Sequence, residues 1–135
     1  MTNTNKRDGN NFESFFCTLL FSNGFWAHNL AQNQTGQPAD VLAARNGKSY
    51  LIDCKVCGKN GFSFSRIEEN QDSSMTLWHN SGNGTGWFAL KLPDESIYLL
   101  PHLALLGYEK VKSGLSIKEI QMYGQSFEKW VEKCK

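Results

Sequence analysis

Apolar and polar positions recur along the chain in two rhythms, and these rhythms divide it into elements. At residues 11–22, Phe12, Phe15, Phe16, Leu19 and Leu20 return at three- and four-residue spacing, which lays one apolar stripe along a helix. Asn10 or Asn11 suits its N-cap and Asn23-Gly24 its end. A short strand is expected at 25–29. Residues 31–37 have no apolar period and run into Gly36-Gln37-Pro38, so they read as a loop. Strands follow at 39–44 and 48–56. Asn46-Gly47 joins them, a pair that accepts the positive φ values of a two-residue hairpin turn. A turn at 58–61 and an extended piece at 62–64 lead to a helix over 66–80. Ser65 is its expected cap, Glu68 stands in the capping-box position, and Ile67, Met75, Leu77 and Trp78 are candidate buried positions. The glycine-rich stretch 81–86 lacks the lysine and spacing of a phosphate loop and reads as a connector. Strands at 87–92 and 97–100 flank the turn Pro93-Asp94-Glu95-Ser96. Pro101 opens a short helix to about residue 106, and Ser116 and Ser126 cap two more, the last at 127–134 and lysine-rich.

Helix, three strands, helix, two strands and short helices describe an α/β fold, with a central mixed β-sheet flanked by helices. No linker or repeat divides the 135 residues, so a single domain is expected. Its polar start at 1–10 reads as a flexible N-terminus and 107–135 as a C-terminal helical extension.

Composition narrows the class. Hydrophobic residues make up 40% and aromatics 13%, enough for a globular core rather than disorder. A formal net charge of +1 neither marks nor excludes a nucleic-acid partner, because an acidic site can mask a basic surface. No apolar run reaches bilayer length and no secretion signal is present, which points to a cytoplasmic protein with no membrane association. Cys17, Cys54, Cys57 and Cys134 read as free thiols of a reducing compartment. Cys54-Lys55-Val56-Cys57 has C-x-x-C spacing, but the chain holds no second ligand pair for zinc, and a strand end is not the helix N-terminus of a thiol oxidoreductase. His28, His79 and His102 are isolated and read as surface or satisfied side chains; Trp26, Trp78 and Trp87 read as core.

The hairpin carries the chemistry. Alternation along its second strand puts Asp53 and Lys55 on one face and Cys54 on the other, and the first strand brings Asp40 beside them. Carboxylates held together repel unless a cation lies between them, and hard oxygen ligands suit Mg²⁺. A solvated strand pair with a salt bridge is the plainer alternative; a metal-dependent phosphodiester-cleaving site accounts for more of the pattern.

Pro38-Ala39-Asp40 followed by Asp53-Cys54-Lys55 resembles the PD-(D/E)xK nuclease superfamily, whose core is the restriction-endonuclease-like α/β fold. Within it, the order of elements over about residues 10–105 is similar to that of Holliday junction resolvases, particularly the RecU type of Gram-positive bacteria and their phages. Such enzymes carry a long protruding segment between early strands, where this chain has only the loop at 31–37. The resemblance implies a Mg²⁺-dependent DNA endonuclease, with Mn²⁺ able to substitute, that cuts four-way junctions as a homodimer. It implies that Asp40, Asp53 and the Cys54 carbonyl bind the metal and that Glu13 holds a second ion or a water. Lys55 then orients or activates the attacking water, and Gln71 positions it. Arg66, Lys48, Lys59 and Arg45 are candidate DNA-backbone contacts. For Glu13 the alternative is a carboxylate complementing the helix dipole; for Gln71, an ordinary exposed glutamine; for Arg66, a surface pair with Glu69. The same residues leave two further functions open. One is a restriction- or repair-type nuclease of the same fold acting on duplex DNA; the other is a non-catalytic DNA- or protein-binding module.

Overall fold

The computed structural model describes residues 3–30 and 39–135, and side chains from residue 11 onward. The loop expected at 31–37, and Pro38 with it, lies outside the described residues. In chain order the elements are α1 (Asn3–Ser22), β1 (Trp26–Asn29), β2 (Val41–Arg45), β3 (Lys48–Val56), β4 (Phe62–Ser63), a 3₁₀ turn (Phe64–Arg66), α2 (Glu69–Trp78) and a widened turn (His79–Asn83). Then come β5 (Trp87–Lys91), β6 (Ile97–Pro101), α3 (His102–Tyr108), β7 (Gly114–Leu115), α4 (Ile117–Tyr123), β8 (Gln125–Ser126) and α5 (Phe127–Lys133).

Six strands form one mixed sheet in the order β1-β2-β3-β5-β6-β8. Among the described strands only β3 and β5 run parallel. A parallel pair needs a crossover, and α2 lies in it. At the β2–β3 turn, Asn46 and Gly47 take φ of 54° and 77°, the left-handed values the sequence anticipates, and the register runs from Arg45↔Lys48 to Val41↔Ile52. Asp40 then donates its N–H to the carbonyl of Ile52 (3.1 Å), the residue Val41 already faces. Two residues of one strand thus meet one of the other, as in a β-bulge, a feature that re-aims side chains.

Both sheet faces are covered. On one, Val41, Ala43, Ile52, Cys54, Ala89 and Leu99 pack against Phe12, Phe16 and Leu20 of α1 and Phe127, Trp130 and Val131 of α5. On the other, Leu51, Phe88, Leu90 and Leu100 pack against Met75 of α2, Leu105 of α3 and Ile120 of α4. Strands buried on both faces read as continuous apolar runs, which is why Phe88-Ala89-Leu90 shows no alternation. A Cβ on Gly86 would lie 2.7 Å from Met75 Cγ, so only glycine lets α2 settle so close to the start of β5.

Several boundaries differ from the sequence-based expectations. Helix α1 begins at Asn3, well ahead of residue 11. A helix nucleated on its apolar turns propagates through polar, proline-free residues that carry no periodic signal. Helix α2 starts after Glu68, not Ser65, because Phe64–Arg66 forms a separate 3₁₀ turn. Leu77 and Trp26, expected in the core, are 67% and 55% exposed. Trp26 instead stacks on His28 along the edge strand, with ring planes 14° apart. Ser116 and Ser126 do cap α4 and α5 through their side chains. Beyond its helices, the 107–135 region supplies β7 to a two-stranded ribbon with β4 and β8 to the edge of the main sheet. Among the described residues no helix is long and apolar enough to cross a membrane.

Candidate active site

The bulge at the start of β2 and the far half of β3 set the site. Asp40 Oδ2 accepts the N–H of Cys54 (2.7 Å), which locks its carboxylate against the neighbouring strand. Asp53 is fully buried. Its Oδ1 accepts from Gln71 Nε2 (2.9 Å), and its Oδ2 lies 3.2 Å from the Lys55 ammonium, an ionic contact not aligned as a hydrogen bond. Lys55 Nζ in turn donates to Gln71 Oε1 (3.3 Å), closing a triangle of Asp53, Lys55 and Gln71. The amide of Gln71 is oriented by its own helix: the Glu68 N–H donates to the same Oε1 (3.2 Å), leaving Nε2 to face Asp53. Gln71 is buried, so the ordinary exposed glutamine of the sequence-based alternative is not what the structure contains.

Glu13 approaches from α1. Burial pushes its carboxyl up from 4.5 to about 7, with a further upward push from the Asp40 charge and from a hydrogen bond to Asp40, and a downward pull from Lys55. Burial also holds Asp53 well above the ordinary carboxylate range, the Asp40 charge adds to it, and the Lys55 ammonium only partly opposes it. The site therefore gathers the carboxyls of Glu13, Asp40 and Asp53 around one ammonium among the described residues, that of Lys55. Among the described residues its negative charge is under-compensated, and this adds to burial in raising both carboxyls.

A divalent cation fits this donor set. The groups are hard oxygens, one of them a buried Asp53 oxygen without a hydrogen bond among the described residues, and what these residues lack is positive charge. Among the described residues no three acidic, histidine or cysteine side chains already stand as a cage. The Asp53 oxygens are held by Lys55 and Gln71, whose ammonium and amide occupy the positions of cationic and donor partners. Cys54 points its thiol to the opposite face, where burial and the three carboxylates push it up. Burial lifts the Cys57 thiol to about 11, and all four cysteines are free, so the C-x-x-C pair is chemically quiet.

The four candidate DNA contacts divide between the two ends of the hairpin. Arg66 donates to the Val56 carbonyl (2.8 Å) and lies over the Phe62 ring, and exposed Lys59 stands in the turn after β3, so both flank the site. Arg66 shows this carbonyl and ring contact rather than the pair with Glu69. Arg45 and Lys48 face each other beside the Asn46-Gly47 turn, and Arg45 lies 5.2 Å over the Phe25 ring. At about 3.3 Å per residue, Lys48 is roughly 16 Å along β3 from Asp53. The sequence-based assignment missed Glu68 as a participant. Its E-x-x-Q spacing to Gln71 is a helix-start signal that the Ser65 cap overshadowed.

Known proteins share this fold. A family model for the archaeal Holliday junction resolvase Hjc matches residues 4–133. No curated protein matches the chain. Among solved structures, Hjc of Archaeoglobus fulgidus, a Holliday junction resolvase from an archaeal hyperthermophile, superposes with a TM-score of 0.72. Sequence identity is 17%, over 91% of this chain and 99% of that one, so this likeness speaks for the fold. The resemblance to junction resolvases stands, on the Hjc branch in place of the RecU type. The chain belongs to the archaeal Holliday junction resolvase (Hjc) family and is a metal-dependent endonuclease of the PD-(D/E)xK type.

Proposed function

We propose that Asp40, Asp53, Lys55, Gln71 and Glu13 form the cleaving site, that Mg²⁺ is its ion with Mn²⁺ able to replace it, and that the working unit is a homodimer. The observation that carries the site assignment is the fully buried Asp53, held between Lys55 and Gln71 beside the acids Asp40 and Glu13. Asp40 and Asp53 are the ion's direct ligands, with the Cys54 carbonyl as a further oxygen. Glu13 holds a second ion or a water. The chemistry a divalent ion supplies there is neutralisation of phosphate charge and acidification of water.

The chain's own groups do the rest. Lys55 directs its ammonium at the attacking water or the phosphate oxygens. Gln71 holds Lys55 and Asp53 in register. Glu13, its carboxyl raised to about 7 by burial and by Asp40 in the metal-free chain, completes the acid cluster. Arg66 and Lys59 grip phosphates at the site's rim, which positions DNA without reading sequence. Arg45 and Lys48 serve a strand reaching the far end of the hairpin.

Symmetric cutting of a four-way junction needs two sites, and the separate exposed apolar side chains of α1 (Phe15, Phe21) and of β1 (Trp26) are the candidate contacts with a second copy. The test is a four-way junction incubated with the protein and Mg²⁺. Paired cuts that vanish in Asp53→Ala and Lys55→Ala are expected; cutting that persists in both variants sinks the site assignment.

A further inference from the structure

We infer that His102 and Asp72 are positioning residues for cleavage, acting together to fix the turn of α2 that presents Gln71 to Asp53 and Lys55. This rests on the site assignment above. Residues 71 and 72 project about 100° apart around the α2 axis, so they leave the helix on different sides. Gln71 reaches the site. Asp72 reaches α3, where its Oδ1 lies 2.6 Å from His102 Nε2. A carboxylate only accepts, so the imidazole donates.

The His102 ring is an anchored partner. It is 1% exposed, and its centroid lies 6.2 Å from that of Phe88 on β5. Its backbone N–H donates to the Gly86 carbonyl (2.8 Å). Its other ring nitrogen, Nδ1, is buried and has no hydrogen-bond partner among the described residues, so the hydrogen bond to Asp72 is what orients the ring. One turn further along α2, Met75 sits directly over Gly86. The helix is therefore held to the start of β5 and α3 at Asp72 and at Met75, and the Asp72 clamp lies one residue from Gln71.

Gln71 needs such a clamp. Its contacts at 2.9, 3.2 and 3.3 Å to Asp53, Glu68 and Lys55 leave little margin before they cease to be hydrogen bonds. Rotation of the first turn of α2 would break the two that reach β3, to Asp53 and Lys55, while the Glu68 contact, internal to the helix start, would move with it.

The experiment measures single-turnover junction cleavage at saturating DNA and Mg²⁺, in native and Gln71→Ala backgrounds. Asp72→Ala is the main variant, because the Asp72 side chain is 44% exposed and its truncation opens no core cavity. His102→Gln, which keeps a donor for Asp72, and His102→Leu, which does not, complete the set. In the native background Asp72→Ala and His102→Leu are expected to slow cleavage about tenfold or more, the scale of a small misplacement of reacting groups. His102→Gln retains most activity. In the Gln71→Ala background Asp72→Ala is expected to add no further loss.

An equal fractional loss in both backgrounds overturns the proposal, since it shows an effect independent of Gln71; so does full activity of Asp72→Ala in the native background. Full activity of Gln71→Ala alone assigns the failure to the site instead, which separates the two. Should His102→Leu not fold, the Asp72→Ala pair decides the question unaided.

Discussion

Burial and the adjacent Asp40 charge push the Glu13 carboxyl up to about 7, so between 4.5 and 7 the folded chain keeps a proton that the unfolded chain releases. This group's contribution to stability is fully present below 4.5 and is lost as pH rises through 7. Metal-free protein is therefore expected to melt at a lower temperature at about pH 8 than at about pH 5 as far as Glu13 is concerned, and Glu13→Gln should flatten that slope. Thermal melts in chelator across this range check both. Added Mg²⁺ should stabilise the native chain more at the alkaline end of the range than at the acid end, because the ion binds the ionised site. A Glu13→Gln slope as steep as the native one would remove Glu13 from the charge cluster.

At the scale of elements, the site is a matter of how α2 and the β2–β3 hairpin are seated. Gly86→Ala places a methyl against Met75 Cβ and Cγ, close to the helix backbone, so α2 must lift. A loss of roughly 1–3 kcal/mol is expected from such overpacking. Cleavage should fall with it, because Gln71 rides on the same helix; urea unfolding and junction cleavage measure the two effects. Gly47→Ala is the contrast. Its φ of 77° strains any side chain although the space around it is open. A cost of about 1–2 kcal/mol is expected for the left-handed conformation. Cleavage at saturating junction should stay near native, since the turn lies at the far end of the hairpin from Asp53.

At the scale of the whole molecule, a chain of net charge +1 must bind DNA through local rather than global charge. Removing Arg66 or Lys59 at the site's rim should reduce the slope of log affinity against log salt by about 1 for each phosphate no longer neutralised. The same substitution at Arg45 or Lys48 reduces it only if junction DNA runs the length of the hairpin. Salt titrations of junction binding therefore map the DNA path. The proposed homodimer predicts a solution mass about twice the 15.3 kDa of the chain. Trp26→Glu should lower that mass and convert paired junction cuts into single nicks.

What the sequence determined by itself was local and periodic. The apolar stripe at Phe12, Phe16 and Leu20 marked α1, Asn46-Gly47 marked the hairpin turn, and Ser116 and Ser126 marked their caps. Strand alternation put Asp53 and Lys55 on one face. Each of these follows from backbone geometry within a few residues, so no distant contact was needed to read it. The two-residue strands β7 and β8 left no such trace, because their pairing partners β4 and β6 are remote in sequence. Tertiary structure alone decided that Trp26 and Leu77 face outward: an apolar residue is buried only if another element arrives to cover it. It also decided the chemistry of the acids. Glu13 is an ordinary first-helix carboxylate until the sheet brings Asp40 against it, and Gln71 is a surface glutamine until α2 is clamped over β3. Burial and neighbouring charge, which set both roles, are properties of the packed molecule and are carried by no single stretch of the chain.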